Sequence, residues 1–499
     1  MKIAVIGSGY GGAVAVSQLA QAGKDVDLIE MGVDWENMPP VQGKIFTKMV
    51  EPTERSMWFK TKTQLPFGKI FNLEIIDKPI KAAAGVLDVE QFEAMRVYLG
   101  RGVGGGSLVN GGMAVVPSRS YFEKIMPQVD AQEMYDRYFP QAQKALGVNL
   151  PPNDILGTSK FYKFARVGAQ DALKAGYKVV PVPNVYDWEY MRQEDFGNVE
   201  RSGLGGQVIF GNDYGKKSLS KTILKEVFKS EKVNLLALTE VTSIARDNQQ
   251  KFVFTLKTID FWGNTVEVQE RTYDRLIMAA GSVGTSKLLL KAKAEGGLKQ
   301  LPAEIGKSWG PNGNIMAARK AGKETGKFQS GIPALGVTNW DDSEESVFAE
   351  VAPFPAGIEL KTNLYLAITN NPRLAEFTWD ADKNELSLSW KSDHAKASVQ
   401  AAEKFLTKIN EANPGSSFRK DLFDDGKIFS DYFSYHPLGG AILGEATDLN
   451  GEVKGEEGLF IVDSSLIPGR IGVNPFVTIT ALATRNMEKL IQAGKFEDA

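Results

Sequence analysis

The segment from Lys2 to Glu30 constrains the fold more than any other part of the chain. Lys2-Ile3-Ala4-Val5-Ile6 is a short, nearly continuous apolar run, as a parallel strand buried on both faces requires. Gly7-Ser8-Gly9-Tyr10-Gly11-Gly12 follows without a break. Ala13 to Ala22 then carries small and apolar residues with neither proline nor glycine, which predicts a helix packed on a sheet, and Val26-Asp27-Leu28-Ile29-Glu30 reads as the second strand, ending in an acid. Gly7, Gly9 and Gly12 have G-x-G-x-x-G spacing, which lets the backbone approach a pyrophosphate at a helix N-terminus. Glu30 is placed to accept hydrogen bonds from an adenosine ribose, and it argues against a 2′-phosphate and hence against NADP. Glycine spacing alone would also suit a bare strand-to-helix turn; the flanking strands and Glu30 favour a dinucleotide.

The same theme returns late in the chain. Leu276-Ile277-Met278-Ala279-Ala280-Gly281-Ser282-Val283-Gly284 is an apolar strand followed by glycine, running into a helix from Thr285 to Ala292. Leu459-Phe460-Ile461-Val462-Asp463 reads as a last buried strand, and a final helix begins at Pro475. Between these lie a proline- and glycine-rich excursion from Trp35 to Leu87, a glycine cluster from Gly100 to Ser107 leading into Leu108-Val109-Asn110-Gly111-Gly112-Met113, and a helical stretch from Tyr121 to Ala145. A helix is expected from Leu219 to Phe228, and strands at Val233–Leu238, Val241–Arg246, Phe252–Thr258 and Thr265–Gln269 suggest a three-stranded meander beside the parallel sheet. Alternating apolar residues from Ile332 to Trp390 predict antiparallel strands. The expected class is α/β plus antiparallel β: a Rossmann-like nucleotide-binding domain (1–40, 90–120, 207–310 and 430–499) interleaved with an antiparallel-sheet, substrate-binding domain (41–89, 121–206 and 311–429).

Composition removes whole classes of function. With 499 residues the chain exceeds what one core usually serves. A net charge of −3, with lysine and arginine scattered, leaves no electrostatic footprint for nucleic acid. There is no run of about 18 apolar residues of the kind that spans a bilayer, and the first strand begins at Lys2, which leaves no room for a signal peptide; a soluble chain is expected. Cysteine is absent, so thiolate catalysis and zinc–thiolate sites are excluded, and neither of the two histidines lies in a carboxylate cluster of ligand spacing, so no metal is expected.

That scarcity of histidine focuses the search for proton chemistry. His394, between Ser392-Asp393 and Ala395-Lys396, reads as a surface residue, whereas His436 lies in the rigid turn Tyr435-His436-Pro437-Leu438-Gly439-Gly440. Asn474-Pro475 suits a helix N-cap, and that bland explanation wins in isolation; its rival is that the same helix N-terminus aims its partial positive charge at an electron-rich ring. Glu359 is expected on a polar strand face with Lys361, Asn363 and Tyr365, turned to solvent or a cavity. Asp463 closes the last strand, where it would hold ribityl hydroxyls or begin a turn. The Gly100–Met113 glycines would wall a flavin or form a surface loop. The apolar stretch from Phe67 to Ile76 reads either as buried packing or as a lid touching lipid.

Taken together, Gly7 to Gly12, Gly100 to Met113, Tyr435 to Gly440 and Val473 to Phe476 resemble the glucose-methanol-choline oxidoreductases. Arg101 to Met113, Trp309-Gly310-Pro311-Asn312-Gly313-Asn314-Ile315-Met316 and Val473 to Thr480 are similar, within that family, to the bacterial cholesterol oxidases that bind FAD without a covalent link. The resemblance spans nearly the whole chain and implies non-covalent FAD held by Gly7, Gly9, Tyr10, Gly11, Gly12, Glu30, Gly106, Asn110, Gly111, Met113, Val241, Gly281, Asp463 and Phe476. It implies that His436 and Asn474 meet the substrate hydroxyl and the flavin, His436 accepting the hydroxyl proton, and that Glu359 is the carboxylate moving a proton along a steroid ring. The implied reaction is oxidation of the 3β-hydroxyl of a cholesterol-like sterol, with molecular oxygen reduced to hydrogen peroxide and a Δ5 double bond shifted to Δ4. Two alternatives stand beside it: a dehydrogenase of another bulky alcohol using a non-oxygen acceptor, and a non-enzymatic flavoprotein. The expected partners are a sterol, oxygen and, transiently, a membrane surface, with the chain a monomer that binds no nucleic acid. The sequence departs from the resembling enzymes at Leu360-Lys361, where threonine and tryptophan are common, at Ala441, where cysteine is common, and in lacking the export signal of secreted members.

Overall fold

The computed structural model describes residues 1–66, 77–340, 346–354, 357–423 and 426–498. Strands Ile3–Ile6, Val26–Ile29, Val233–Leu236, Arg275–Met278 and Leu459–Ile461 form a five-stranded sheet in which every neighbouring pair is parallel. Ile3–Ile6 is central, flanked by Arg275–Met278 and Val26–Ile29, and all of its residues are buried, which accounts for its unbroken apolar sequence. Leu459–Ile461 forms the edge beyond Arg275–Met278. Helices Tyr10–Gln21 and Phe476–Gln492 pack against each other and share one core with this sheet. The two ends of the chain are therefore neighbours. The meander is present as Thr239–Arg246, Phe252–Ile259 and Thr265–Tyr273.

The second large sheet is antiparallel. Asn314–Lys320, Thr362–Thr369, Val347–Ala352, Leu335–Thr338 and Lys178–Pro181 follow one another across it, with the short Ser417–Phe418 and Phe429–Ser430 segments on the outer side of Asn314–Lys320. Period-two alternation sorts its side chains into two sets. Ile315, Ala317, Val347, Ala349, Val351, Tyr365 and Ala367 pack with residues of helices Lys163–Lys174 and Lys396–Glu411. On the opposite face, Met316, Leu364, Leu366 and Ala352 join Trp35 and Phe46 from the N-terminal half.

Two sequence expectations are corrected. The single helix from Tyr121 to Ala145 is broken: Arg119–Ile125 ends before Pro127, whose ring disfavours α geometry at Met126, and Asp130 then caps a new helical run by accepting from the Gln132 and Glu133 N–H groups. The strand expected to carry Glu359 starts only at Thr362, because Lys361 is left-handed (φ 50°) and its turn interrupts the alternation. The polar face of that strand meets neither solvent nor a cavity. Asn363 Nδ2 donates to the Phe164 carbonyl at 2.8 Å and the Tyr365 hydroxyl accepts from Arg319 at 3.1 Å, so both side chains are engaged under the helix, with Asn363 Oδ1 alone accepting no hydrogen bond. The Phe67–Ile76 stretch lies outside the described residues, and no helix among the described residues is long and apolar enough to cross a membrane.

Close backbone packing around the first turn generates a test. A Cβ on Gly12 would stand 1.9 Å from the Gly7 carbonyl oxygen, whereas one on Gly9 meets nothing within 4 Å. Gly12→Ala is expected to destabilise the ligand-free protein by about 1–3 kcal/mol, as overpacking does. Scanning calorimetry should show an earlier transition for Gly12→Ala and an unchanged one for Gly9→Ala; matching curves for both would overturn this reading.

Candidate active site

A cavity of about 490 Å³ runs from the first turn to the antiparallel sheet. Local backbone demands explain its glycine-rich end. Gly7 is left-handed (φ 97°), and a Cβ there would lie 2.3 Å from the Ala279 carbonyl oxygen. Gly9 and Gly106 line the cavity with open space where a side chain would be. Gly12 is the exception among the residues expected to hold the cofactor: it does not line the cavity but seats the helix on the strand. All the others line it, including Glu30, Val241, Gly281 and Met113. The Glu30 carboxylate is fixed by the Ser8 hydroxyl at 2.6 Å and by the Gly32 N–H at 2.9 Å. Asp463 accepts from the Gly281 and Ser465 N–H groups, each at 2.9 Å, and from the Thr285 and Ser465 hydroxyls; burial still pushes its carboxyl above the ordinary range. It both lines the cavity and ties the Gly281 helix to the last strand.

The chain ends meet at a stacked aromatic pair, Tyr10 and Phe476, with ring centroids 4.9 Å apart. Asn110 Nδ2 donates to the Tyr10 hydroxyl at 2.6 Å, which draws the Gly100–Met113 segment onto the pair and makes it a cavity wall rather than a surface loop. Asn474 does not serve as the N-cap that its sequence suggested. Pro475 occupies the cap position with no side-chain bond, and Asn474, 2% exposed, faces the cavity with Oδ1 accepting no hydrogen bond from the chain. The N-terminal end of the Phe476–Gln492 helix thus faces the cavity, with its partial positive charge.

His436 lines the same cavity, whereas His394 lies apart, its ring edge-on to Trp390. The His436 turn is pinned by its own N–H donating to Ser434 Oγ at 3.0 Å and by paired backbone hydrogen bonds between Gly310 and Leu438. The Asn314 amide lies against Nδ1, with Nδ2 at 3.0 Å and Oδ1 at 3.2 Å. Burial lowers the imidazole pKa to about 3, so the ring is neutral at ordinary pH.

Of Glu350 and Glu359, it is Glu350 that lines the cavity with His436 and Asn474. Glu350 is 0% exposed, sits on Val347–Ala352 between Leu366 and Gly336 on the neighbouring strands, and has neither carboxyl oxygen hydrogen-bonded to the chain. Desolvation raises its pKa to about 8, opposed only by the neighbouring Asn474 amide. Glu359 lies outside the cavity lining, in the turn before Thr362–Thr369, beside a separate surface recess with Lys160, Lys163 and Phe328. It accepts from the Gly326 and Lys361 N–H groups, each at 2.7 Å, and from the Thr325 N–H at 3.1 Å. Partial burial pushes its pKa up, but these bonds outweigh it and hold the carboxyl below its ordinary range, as suits a turn staple rather than a proton carrier. The missed signal was in Val347-Phe348-Ala349-Glu350-Val351-Ala352, a lone acid in an otherwise apolar strand. Asn314, inside Trp309–Met316, likewise escapes sequence reasoning.

The lining suits an extended dinucleotide. Glu30 and the Gly9 turn could receive one end of such a ligand, and Asn474 and Glu350 line the same cavity. A model of the GMC oxidoreductase family matches residues 9–307, and one of the GMC oxidoreductase C-terminal region matches residues 312–424. The chain is 23% identical to a cholesterol oxidase of Acinetobacter baumannii, over 97% of this chain and 93% of that protein. It is 21% identical to a cholesterol oxidase of Mycobacterium tuberculosis, over 97% and 90%. Among solved structures, a fungal aryl-alcohol oxidase superposes with a TM-score of 0.68 at 13% identity, covering 99% of both chains, which establishes likeness of fold. With the family match covering most of its length, the chain belongs to the GMC oxidoreductases, whose members bind FAD.

Proposed function

We propose that the protein oxidises the 3β-hydroxyl of a cholesterol-like sterol with non-covalent FAD and molecular oxygen, yielding hydrogen peroxide, and moves the Δ5 double bond to Δ4. The observation that carries this reading is Glu350: an unpartnered, desolvated carboxyl facing the same cavity as His436 and Asn474. It takes the proton-shuttling role that the resemblance implies for Glu359. The full-length similarity to cholesterol oxidases supports the substrate class. Non-covalent binding is supported by the absence of cysteine and by His436 being the one histidine among the lining residues.

Bound FAD supplies the acceptor for the hydride that leaves the carbinol carbon. The chain supplies orientation and proton transfer. His436 and Asn474 hold the hydroxyl oxygen, fixing the carbon–hydrogen bond toward the flavin side of the cavity. Glu350, with a pKa of about 8, is a stronger base than His436 at about 3 and accepts the hydroxyl proton. The proton taken up by the ionised form of Glu350 leaves through the cavity to complete hydrogen peroxide together with the hydride; the regenerated carboxylate then removes a carbon-bound proton beside the new carbonyl and returns it two carbons away, conjugating the double bond. Met316, Leu366 and Ala352 give the adjoining wall an apolar surface suited to fused rings.

Cholesterol should bleach the flavin anaerobically, admitted oxygen should restore it with release of peroxide, and the product should absorb as a conjugated 4-en-3-one. Glu350→Gln should slow conjugation by about 10²–10⁴-fold, the usual worth of a positioned acid–base group, while Glu359→Gln should behave as the parent. Conjugated product from Glu350→Gln at the parental rate would remove Glu350 from this role. If another bulky alcohol, but not cholesterol, reduces the flavin, and the reduced flavin persists in air, the dehydrogenase reading replaces the oxidase.

The raised pKa also has a sign. Folded Glu350 keeps its proton between its ordinary value of 4.5 and about 8, where the unfolded chain has released it, so its contribution to stability is full at low pH and is lost as pH rises through about 8. In ligand-free protein, denaturant titrations across this window should show a decline that Glu350→Gln flattens. Isomerisation, which needs the carboxylate, should instead accelerate toward alkaline pH.

A further inference from the structure

The segment Trp309-Gly310-Pro311-Asn312-Gly313-Asn314 threads between the two loops that carry His436 and Asn474. On one side, Gly310 pairs with Leu438 and the Ser434 hydroxyl donates to the Pro311 carbonyl at 3.2 Å. On the other, the Asn312 N–H donates to the Gly469 carbonyl at 3.0 Å. Asn312 is fully buried and left-handed (φ 58°). Its Oδ1 accepts from the Ile471 N–H at 2.7 Å and the Gly472 N–H at 3.3 Å, and its Nδ2 donates to the Val473 carbonyl at 2.8 Å. A flipped amide would set N–H against N–H and carbonyl against carbonyl, so these backbone partners fix which atom is oxygen and which is nitrogen. The same Nδ2 lies 3.5 Å from His436 Nδ1.

We propose that Asn312 and Asn314 are positioning residues that hold His436 as its Nε2–H tautomer, with the Nδ1 lone pair turned to their amide N–H groups and the Nε2–H presented to the cavity. A proton on Nδ1 would point at the fixed Asn312 amino group, donor against donor. With Nδ1 unprotonated, Asn314 offers its Nδ2, already the nearer of its two polar atoms at 3.0 Å. Burial keeps the ring neutral, so one proton is shared between two nitrogens and its place matters. His436 then donates to the substrate oxygen and stabilises it as the hydroxyl proton passes to Glu350. This deepens the sterol-oxidase reading and rests on it only for what the Nε2–H touches.

With two histidines in the chain, the tautomer can be read directly. FAD-loaded protein labelled with 15N-histidine gives two imidazole patterns in long-range proton–nitrogen spectra, and His394→Gln identifies the one belonging to His436. Near neutral pH, Nε2 is expected to be protonated and Nδ1 unprotonated. Asn312→Ala also removes backbone ties and stands to fail in folding, so Asn314→Asp is the decisive variant: nearly isosteric, it offers only acceptors and should place a proton on Nδ1. Its kcat should fall about 10- to 100-fold, as expected when an orienting partner is lost, with a smaller change in KM. An Nδ1–H pattern in the parent, or an unaltered pattern and kcat in Asn314→Asp, would overturn the assignment. The expected tautomer in a protein that oxidises no sterol would sink the substrate reading while leaving this inference standing.

Discussion

Backbone set directly on backbone at glycine is the constraint on which the site depends. A Cβ at Gly11 would lie 2.1 Å from the Val462 carbonyl oxygen, and one at Gly7 2.3 Å from that of Ala279. These absences remove a side chain's thickness between the first turn and the ends of two other strands. Asp463, Gly281 and Gly9 converge on one cavity as a result. A side chain at Gly7 or Gly11 would push the strand ends apart and widen the cleft, whatever happened to the glycine motif as a binding surface.

At the other end of the cavity the controlling effect is desolvation. An acid and an imidazole face the same space, yet burial holds Glu350 protonated to about pH 8 and His436 neutral down to about pH 3. Asn474 is an uncharged amide. Near neutral pH these three groups therefore present hydrogen-bonding capacity without a fixed ion, which suits an apolar alcohol that would be poorly solvated beside a charge. Charge develops there chiefly during reaction, where a low-dielectric setting makes its stabilisation strong.

The nucleotide half of this arrangement was legible in sequence because its signals are local. An apolar run followed by closely spaced glycines specifies a strand, a turn and a helix within a few residues. His436 was legible for a different reason: so few histidines leave little to choose among. Glu359 misled because alternation was extended back from Thr362–Thr369 through Lys361, whose left-handed backbone cannot be read from a lysine. Glu350 was hidden by the opposite problem. Alternation puts it on one face with Phe348 and Ala352, but which face meets the helices and which meets the cavity is decided by tertiary packing. Asn474 reads as a cap when taken in isolation because Asn-Pro fits a helix start equally well whether or not the amide turns back to cap it.

The stack of Tyr10 on Phe476 also dictates when the site can come into being. One ring belongs to helix Tyr10–Gln21 and the other to helix Phe476–Gln492, so during synthesis the first turn, with its glycines already made, waits until Phe476 has been added before its opposite wall arrives. Both the last parallel strand and Asn474 are made in that same late interval. A nascent chain halted before Asn474 would carry most of the glycine cradle and most of the antiparallel sheet with the cavity open between them. Completion of the cofactor cavity is thereby tied to synthesis through Phe476, and a chain cut short before that residue lacks one of the cavity's walls.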